Sequence, residues 1–331
     1  MAPARGASER KGRQMVRYTR REFTSVLVAS AAIPVRRGIT QASAAAAATV
    51  RGVQIGAITG VYGPFTPAAG QDVVDVVIAR SLEGGIGHVE LVNTLFEPRV
   101  TGGAVGGQAP ATATPEYLQT REALRQWRLT EPLDRFREIR RKFDAAGLDL
   151  FSYVMTVGDD FSDPEIEAVF KQMQALGVKR FCTNQTRVGM GPRMVPFAEK
   201  YGISPAFHTH NLVNDPNEVA SPASLEKLLD MSKLFMVNLD IGHYARGGND
   251  PFAYIKEHHD RITHLHIRDM KRDGSAANVG DGDLQVADIL RAIRDNRWPI
   301  ACILEQGRTG FESTVSATKA NLDVMRKALE S

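Results

Sequence analysis

Residues 238–269 read NLDIGHYARGGNDPFAYIKEHHDRITHLHIRD and contain the pattern of one complete β-α-β unit. Apolar runs at 235–239 and 262–267 are each long enough for a buried strand. Between them lie a Gly- and Asp-rich turn and a helical pattern at 251–259. Two strands joined by a helix run parallel in one sheet. The stretch therefore predicts an α/β fold with a parallel sheet.

Ligand-type side chains accompany the ends of both strands. Asp240 and His243 follow the first strand, and the second strand contains His264 and His266 and is followed by Asp269. Ligands bind beyond the carboxyl ends of parallel strands, so we expect these side chains to converge. Carboxylate and imidazole groups are ordinary ligands of zinc, manganese and iron. The structural alternative is that Asp240 caps a loop and His266 is a hydrogen-bonded core histidine.

The same alternation of strand and helix continues along the chain. Predicted strands cover residues 53–58, 87–92, 148–155, 178–183, 203–210, 235–239, 262–267 and 299–304. Predicted helices cover residues 70–83, 115–127, 131–146, 164–176, 192–201, 225–233, 251–259, 284–295 and 312–329. This pattern is typical of a closed (β/α)8 TIM barrel, with an open doubly wound sheet as the alternative. No Gly-x-Gly-x-x-Gly motif follows the first strand, which weakens a dinucleotide-binding interpretation.

The composition is that of a soluble globular protein. The chain has 331 residues, of which 43% are hydrophobic and 24% charged, and its formal net charge is +3. Much of the positive charge lies in the N-terminal segment, so a nucleic-acid-binding surface is not expected. Cys182 and Cys302 lie in apolar runs, which favours small core side chains over a disulfide or a thiolate site.

Residues 1–44 have the organisation of an export signal. A basic region ends in Thr19-Arg20-Arg21-Glu22-Phe23, a mildly apolar stretch covers 25–34, and Ala42-Ser43-Ala44 offers a small-residue cleavage site. The paired arginines are similar to those of a twin-arginine signal, and the apolar stretch is too short for a permanent membrane span. We therefore expect a signal peptide at 1–44, a single TIM-barrel domain at 45–331, and a periplasmic or secreted protein without a stable membrane anchor. A disordered basic tail is the alternative.

Four consecutive strand ends carry side chains that bind metals. The fifth strand ends in His208 and His210, and Asp240 follows the sixth strand. His266 lies in the seventh strand, and Glu305 follows the eighth. Side chains two residues apart share one face of a strand, so His208 and His210 face the same side. One cation would satisfy several of these groups at once, and this joint pattern is the strongest indication of a site.

Three further features lie near the same strand ends. Glu90 is inside the second strand, where it needs either a polar cavity or a basic partner. Asn184 follows the fourth strand. Residues 95–117 are rich in Gly, Ala, Pro and Thr. A loop of this length is expected to cover the mouth of the site, with a plain surface insertion as the alternative.

Four motifs resemble those of the xylose isomerase-like TIM-barrel superfamily. They are Asp240-Ile-Gly-His243, His266-Ile-Arg-Asp269, Val279-Gly-Asp-Gly282 and Leu304-Glu305. The similarity extends over roughly residues 50–330 and is poorly specific for substrate. The superfamily includes sugar phosphate isomerases and epimerases, inosose dehydratases and the endonuclease IV enzymes.

The resemblance implies one divalent metal ion (Mn, Zn, Fe, Co or Mg) held by Asp240, His266, Glu305 and a fourth ligand. In the epimerases the fourth ligand is a glutamate on the fifth strand. His208 occupies that position here, and His210 is equally placed to reach the site. The epimerases use their two glutamates as an acid/base pair. In this chain His208 stands in place of one of these two glutamates, so the acid/base pair differs.

The resemblance also implies a reaction in which a keto- or aldo-sugar loses a proton to give a metal-stabilised enediolate. Glu305, His208 or His210 would move the proton, and Asp269 would orient a ligand histidine. The substrate contacts would come from His243, Arg268, Glu90 and Asn184.

Several outcomes start from this enediolate. The first expectation is a sugar isomerase or epimerase, and the alternatives are a lyase or dehydratase acting on a 3-keto sugar or glycoside, and a non-catalytic sugar-binding barrel. An endonuclease is disfavoured, because the second and third strands end without the histidines that three zinc ions need. The expected partner is a small, unphosphorylated sugar and no nucleic acid, and the sequence leaves homo-oligomerisation open.

Overall fold

This computed structural model describes residues 43–103, 108–306 and 310–331. Within these residues the chain forms one nine-stranded sheet. The strands are β1 (Thr49–Val50), β2 (Val53–Ile58), β3 (His88–Val92), β4 (Asp149–Val154), β5 (Arg180–Cys182), β6 (Ser204–His208), β7 (Met236–Asp240), β8 (Ile262–Ile267) and β9 (Ala301–Leu304).

Helices separate the strands from β2 onward. Those in the described residues are α1 (Ser43–Ala47), α2 (Val73–Glu83), α3 (Pro115–Thr130), α4 (Leu133–Ala145), α5 (Asp163–Ala175), α6 (Gly191–Tyr201), α7 (Pro222–Leu229), α8 (Ile241–Arg246), α9 (Pro251–His258), α10 (Val286–Asn296) and α11 (Thr314–Glu330). Side-chain caps fix several starts, as Ser162 does for α5 and Thr114 for α3 by accepting backbone hydrogen bonds.

Strands β2 to β9 form a closed barrel. Each of them is parallel to the next strand in sequence, and β9 pairs with β2. The short β1 pairs antiparallel with β2. The pairing of the first and last barrel strands excludes the open doubly wound sheet and confirms the predicted (β/α)8 barrel.

The alternation of side chains in β8 explains how the barrel places its polar residues. Leu265 and Ile267 belong to the large apolar core that the strands share with the helices. His264 and His266 are also buried but face the other side of the strand, which is the barrel interior. The ring centroid of Phe151, part of a smaller apolar cluster, lies 5.4 Å from that of His264. A two-residue period therefore delivers both histidines to the inside of the barrel.

The main difference from the predicted elements follows β7. The sequence predicts a turn there, whereas the six residues Ile241–Arg246 form the short helix α8. Asp240 caps this helix, because its Oδ1 accepts a hydrogen bond from the backbone amide of His243 at 2.7 Å. A helix of this length, with Gly242 inside it, is too short for a periodic pattern to reveal.

Two predicted segments extend outside the described residues. The export signal predicted at 1–44 lies outside them except for its last two positions, and residues 104–107 of the 95–117 loop are also outside. In the part of the chain that the structure describes, no helix is both long and apolar enough to span a membrane.

Candidate metal centre and active site

The four side chains predicted to bind a metal ion come together at the carboxyl end of the barrel. His208 and Asp240 are the last residues of β6 and β7. His266 is the penultimate residue of β8, and Glu305 directly follows β9. One possible ligand atom from each residue lies within 4.8 Å of those of the others. These residues are called the four-donor cluster below.

Glu305 is the central and most accessible member of the four-donor cluster. Its Oε2 lies 2.7 Å from His266 Nδ1 and 3.2 Å from His208 Nε2. His208 Nε2 lies 3.7 Å from Asp240 Oδ2. The Glu305 side chain is 20% exposed, whereas the other three are at most 3% exposed. A molecule in the barrel mouth can therefore reach Glu305 most easily.

The donor set fits a divalent cation. It offers two imidazole nitrogens and two carboxylates, a combination that zinc, manganese and iron(II) accept. Within the described residues, the buried His266 Nδ1 has no hydrogen-bond partner, although Glu305 lies close to it. A buried polar atom without a partner is costly. A cation between the donors would satisfy this nitrogen, so the residues fit a bound metal ion.

Arg268 bridges the two carboxylates of the four-donor cluster. Its Nε donates a hydrogen bond to Asp240 Oδ2 at 2.9 Å, and its Nη2 lies 3.2 Å from Glu305 Oε2. A Cβ atom at Gly242 would lie 2.8 Å from Arg268 Cγ, so a larger residue there would displace the arginine. The glycine of the Asp240-Ile-Gly-His243 motif therefore makes room for the arginine that directly follows the neighbouring strand β8.

Glu90, a predicted substrate contact, lies beneath the four-donor cluster and binds two histidines. Its Oε1 lies 3.1 Å from His264 Nε2, and its Oε2 lies 2.5 Å from His266 Nε2. The side chain has no exposed surface. Burial alone would raise the pKa of Glu90, but the charges and hydrogen bonds of His266 and His264 lower it far below its usual value. The ionised Glu90 holds the Nε2 side of His266, so that Nδ1 faces the cluster.

His210 lies behind His208 rather than in the four-donor cluster. His210 Nε2 is 3.3 Å from His208 Nδ1, and His210 Nδ1 is 3.4 Å from Glu218 Oε2. This contact occupies the ring nitrogen of His208 that does not face the cluster. The geometry therefore favours His208 as the fourth ligand and gives His210 a supporting position.

Burial and neighbouring charges determine which members of the four-donor cluster hold protons. Burial favours a neutral His266, but the carboxylates of Glu305 and Glu90 outweigh it and raise the pKa of His266 to about 10. Burial lowers the pKa of His208 to about 3, against the opposing charge of Glu305. Burial also raises the pKa of Asp240 to about 7. The two histidines outweigh burial at Glu305 and hold its pKa well below the usual range. A cation that binds must therefore displace protons.

Asp269 holds the loop that follows β8. Its carboxylate accepts hydrogen bonds from the amides of Gly280 at 2.8 Å and Gly282 at 3.1 Å. A Cβ atom at Gly282 would lie 1.9 Å from Asp269 Oδ1, so the loop needs glycine at this position. The sequence led us to expect that Asp269 orients a ligand histidine. In the structure its carboxylate instead holds this loop in position.

The remaining predicted substrate contacts lie at the barrel mouth. The His243 side chain is 25% exposed, and its Nε2 lies 4.0 Å from Asp240 Oδ2. Asn184 follows β5, lines a cavity of about 720 Å³ and donates a hydrogen bond to Thr156 Oγ1 at 3.1 Å. His243 is therefore beside the four-donor cluster, and Asn184 is on the β3–β5 side of the mouth.

Sequence reasoning missed residues that contact the candidate ligands. Asn238 Nδ2 lies 3.1 Å from His266 Nε2. Thr209 Oγ1 accepts a hydrogen bond from the Asp240 amide at 2.9 Å. Alternation in β7 places Asn238 on the same face as Asp240 and was a usable signal. Glu218, which contacts His210, lies in a loop where no pattern indicates its partner.

The chain has the xylose isomerase-like TIM-barrel fold. Residues 192–328 match the family described as xylose isomerase-like TIM barrel, and this segment contains the whole four-donor cluster. D-psicose 3-epimerase from Clostridium cellulolyticum H10 is similar in structure, with a TM-score of 0.57 and 12% identity over 84% of this chain and 99% of that one. For 3-keto-D-glucoside 4-epimerase from E. coli, the TM-score is 0.54 and the identity 13%, over 83% and 99% of the chains.

Relatives with a similar sequence include dehydratases. Inosose dehydratase 1 of Bacillus cereus is 31% identical over 128 residues, which are 38% of this chain and 39% of the relative. Inosose dehydratase 2 of the same organism is 29% identical over 105 residues, which are 31% and 33% of the two chains. The matches thus span less than two fifths of these relatives. The fold is one that isomerases, epimerases and dehydratases share.

Proposed function

We propose that the protein is a divalent-metal-dependent sugar isomerase or epimerase that moves a proton at the carbon next to a carbonyl group. The four-donor cluster carries this proposal, since it groups two imidazoles and two carboxylates at the mouth of a barrel. Perturbed protonation and a partly exposed carboxylate in such a group are typical of a catalytic site. A non-catalytic sugar-binding barrel would need neither.

The proposed metal ligands are His208, Asp240, His266 and Glu305. When bound, a divalent cation supplies Lewis-acid stabilisation of the negative charge that develops on a substrate carbonyl oxygen. Arg268 adds a second positive charge close to the same carboxylates. His210 is assigned a positioning role, because it holds the outer nitrogen of His208.

Glu305 is the proposed general base. Its carboxylate is ionised because His266 and His208 lower its pKa, and it is the exposed member of the four-donor cluster. It would accept the proton from the carbon next to the carbonyl group and return it to the neighbouring carbon, which gives the isomer, whereas epimerisation would need a second group that returns a proton to the same carbon from the opposite face. His243, at the mouth, would hold a substrate hydroxyl group during this transfer.

A dehydratase is the second candidate function. The likeness to two inosose dehydratases favours it. The site also has a histidine where the epimerases have a second glutamate, and burial lowers the pKa of His208 to about 3. Glu305 is then the main group that accepts a proton. Removal of a proton from one face of the sugar by a single base suits the elimination of water as well as isomerisation.

The proposed substrate is an unphosphorylated sugar, and the proposed location is the periplasm or the medium. Both proposals rest on the twin-arginine-type signal predicted at 1–44. N-terminal sequencing of protein recovered from an exporting host tests them. A start near residue 45 supports export, and an intact N terminus in cytoplasmic protein contradicts it.

Solvent exchange tests the proposed reaction. Metal-loaded protein is incubated in D2O with a panel of aldo-, keto- and 3-keto-sugars, and NMR follows the carbon next to the carbonyl group. We expect deuterium at that carbon, together with a new sugar for an isomerase or epimerase and loss of water for a dehydratase. Glu305→Gln should lose exchange, while the surface control Glu122→Gln keeps it. Absence of exchange from every sugar, with metal bound, contradicts the proposal.

A further inference from the structure

A second polar space lies on the β3–β5 side of the barrel mouth. It is a cavity of about 720 Å³, here called the side cavity. Its floor comes from residues that follow three strands, namely Asn93 after β3, Thr156 after β4 and Asn184 after β5. The segment 97–103 and helix α3 form its walls.

The side cavity adjoins the four-donor cluster without including it. None of the four ligand candidates is among the described residues that line the cavity. Cys182 lies between the side cavity and the cluster, and its Sγ accepts a hydrogen bond from the amide of Asn184, which lines the cavity, at 3.4 Å. The same Sγ lies within 4.8 Å of a ring nitrogen of His266. Asn184 in the cavity lining and His266 in the cluster are therefore separated by one side chain, so the two places are close enough for two parts of one molecule.

Ion pairs hold two of the three arginines among the described residues that line the side cavity. Arg128, which lines it, lies 2.7 Å from Glu97 and 2.9 Å from Glu165. Arg121, which also lines it, lies 2.8 Å from Asp160 and 2.9 Å from Glu165. Both arginine side chains are at most 7% exposed. The charges of these two arginines are therefore already paired, whereas Arg99, an exposed residue that also lines the cavity, takes part in none of the ion pairs found among the described residues.

The other lining groups suit a ring that has both apolar and hydroxyl surface. Amide and hydroxyl side chains come from Asn93, Gln108 and Tyr117, and apolar surface comes from Leu124 and Phe161. Mixed apolar and hydrogen-bonding surface of this kind is typical of sites for small organic ligands. The Gln108 side chain donates to the backbone carbonyl of Gln185, which attaches this wall to the loop after β5.

We propose that the side cavity is a subsite for the second ring of a glycoside, the first ring of which occupies the four-donor cluster. The substrate would then be a sugar that bears a keto group on its first ring and carries another sugar or an aryl group through its glycosidic oxygen, rather than a free monosaccharide, because a glycoside without a keto group has no carbonyl carbon beside which a proton could move. The inference rests on the proposed function, because it assumes that the first ring binds at the cluster. The volume outside the cluster distinguishes this substrate class from a free monosaccharide.

Matched one-ring and two-ring ligands test the subsite. Binding to full-length protein, with and without Mn²⁺, is measured by calorimetry for glucose, methyl β-D-glucoside, phenyl β-D-glucoside and cellobiose. Galactose, methyl β-D-galactoside, phenyl β-D-galactoside and lactose form a second series. We expect a two-ring member of at least one series to bind about tenfold tighter than its one-ring counterpart.

Two tryptophan variants show where the second ring binds. Thr94 is exposed and lines the side cavity, so Thr94→Trp should abolish the two-ring advantage and leave one-ring affinity unchanged. Gln119→Trp, on an exposed position of α3 outside the lining, is the control and should keep the advantage. Circular dichroism confirms that both variants fold.

Three results would overturn the inference. They are equal affinities for one-ring and two-ring ligands, an advantage that survives Thr94→Trp, and no binding of any two-ring ligand. Failure of the proposed function differs from these results. It would leave the protein without proton exchange on any sugar, whatever the ratio of the two affinities.

Discussion

Glu90→Gln tests whether a buried carboxylate positions the proposed ligand His266. The substitution keeps the size of the side chain but removes its charge and replaces one acceptor oxygen with an NH2 donor. In the protein the two oxygens lie 2.5 Å from His266 Nε2 and 3.1 Å from His264 Nε2. After the substitution, one of the two imidazoles faces a donor instead of an acceptor.

The expected loss has two parts. One buried imidazole loses its partner, which costs about 1–3 kcal/mol of unfolding free energy. Loss of the carboxylate behind a ligand histidine typically lowers metal affinity by about 10- to 100-fold. Without Glu90 the pKa of His266 falls, so fewer protons compete with the metal and part of the loss is offset. We therefore expect metal affinity to fall by roughly tenfold, the lower end of that range.

Two assays measure these parts separately. Competition with a chromophoric chelator gives the metal affinity, and urea unfolding of the metal-free protein gives the stability. Glu122→Gln is the matched control, since its side chain is 50% exposed and lies on α3. Unchanged metal affinity together with a stability change below about 0.5 kcal/mol, the usual range for surface substitutions, would refute the positioning role of Glu90.

Three further predictions concern the four-donor cluster and its neighbours. His208→Ala should abolish metal binding, whereas His210→Ala should weaken it by about 10- to 100-fold. Chelator competition on both variants distinguishes a metal ligand from a residue that positions one. Equal losses of metal affinity would contradict the choice of His208 as the ligand. Arg268→Gln should retain or tighten metal binding, because the arginine competes with the metal for the two carboxylates. The same variant should lose deuterium exchange. A variant that loses its metal would contradict this prediction. With the pKa of His266 raised to about 10, the folded metal-free protein keeps a proton that the unfolded chain releases above about pH 6.5. Its unfolding free energy should therefore fall by up to about 1.4 kcal/mol per unit between about pH 7.5 and about pH 9.5, and a slope unchanged in His266→Gln would contradict this cause.

The strand and helix periods were sufficient to predict the barrel. Residues 53–58 and 262–267 were predicted within the bounds that β2 and β8 have in the structure. Their signal is strong because each strand packs one face against helices and the other into a closed interior. The helix α8 was not predictable in this way, since its start depends on the Asp240 cap and its length is below two periods.

The candidate site was predictable to the extent that it lies on strands. Alternation and strand ends were enough to group Asp240, His266 and Glu305 before any distance was known. The choice between His208 and His210 required coordinates, because both face the same side of one strand and only their ring distances differ.

Contacts between distant segments could not be predicted from local pattern. Glu90 and His266 are 176 residues apart, and their hydrogen bond depends on closure of the whole barrel. The same is true of Gly242 and Arg268, where one side chain needs the space that another residue leaves. Such pairs depend on three-dimensional packing, which hydrophobic periodicity does not encode.

The metal content of the purified mature protein tests the central claim most directly. Elemental analysis without added metal should give about one Mn, Zn, Fe or Co per chain, and Asp240→Ser should lose it while serine still caps α8. Asp72→Ser, which changes the cap of α2 in the same way, is the control and should keep its metal. Protein that holds no metal after incubation with each of these ions, or Asp240→Ser that retains its metal in full, would contradict the claim.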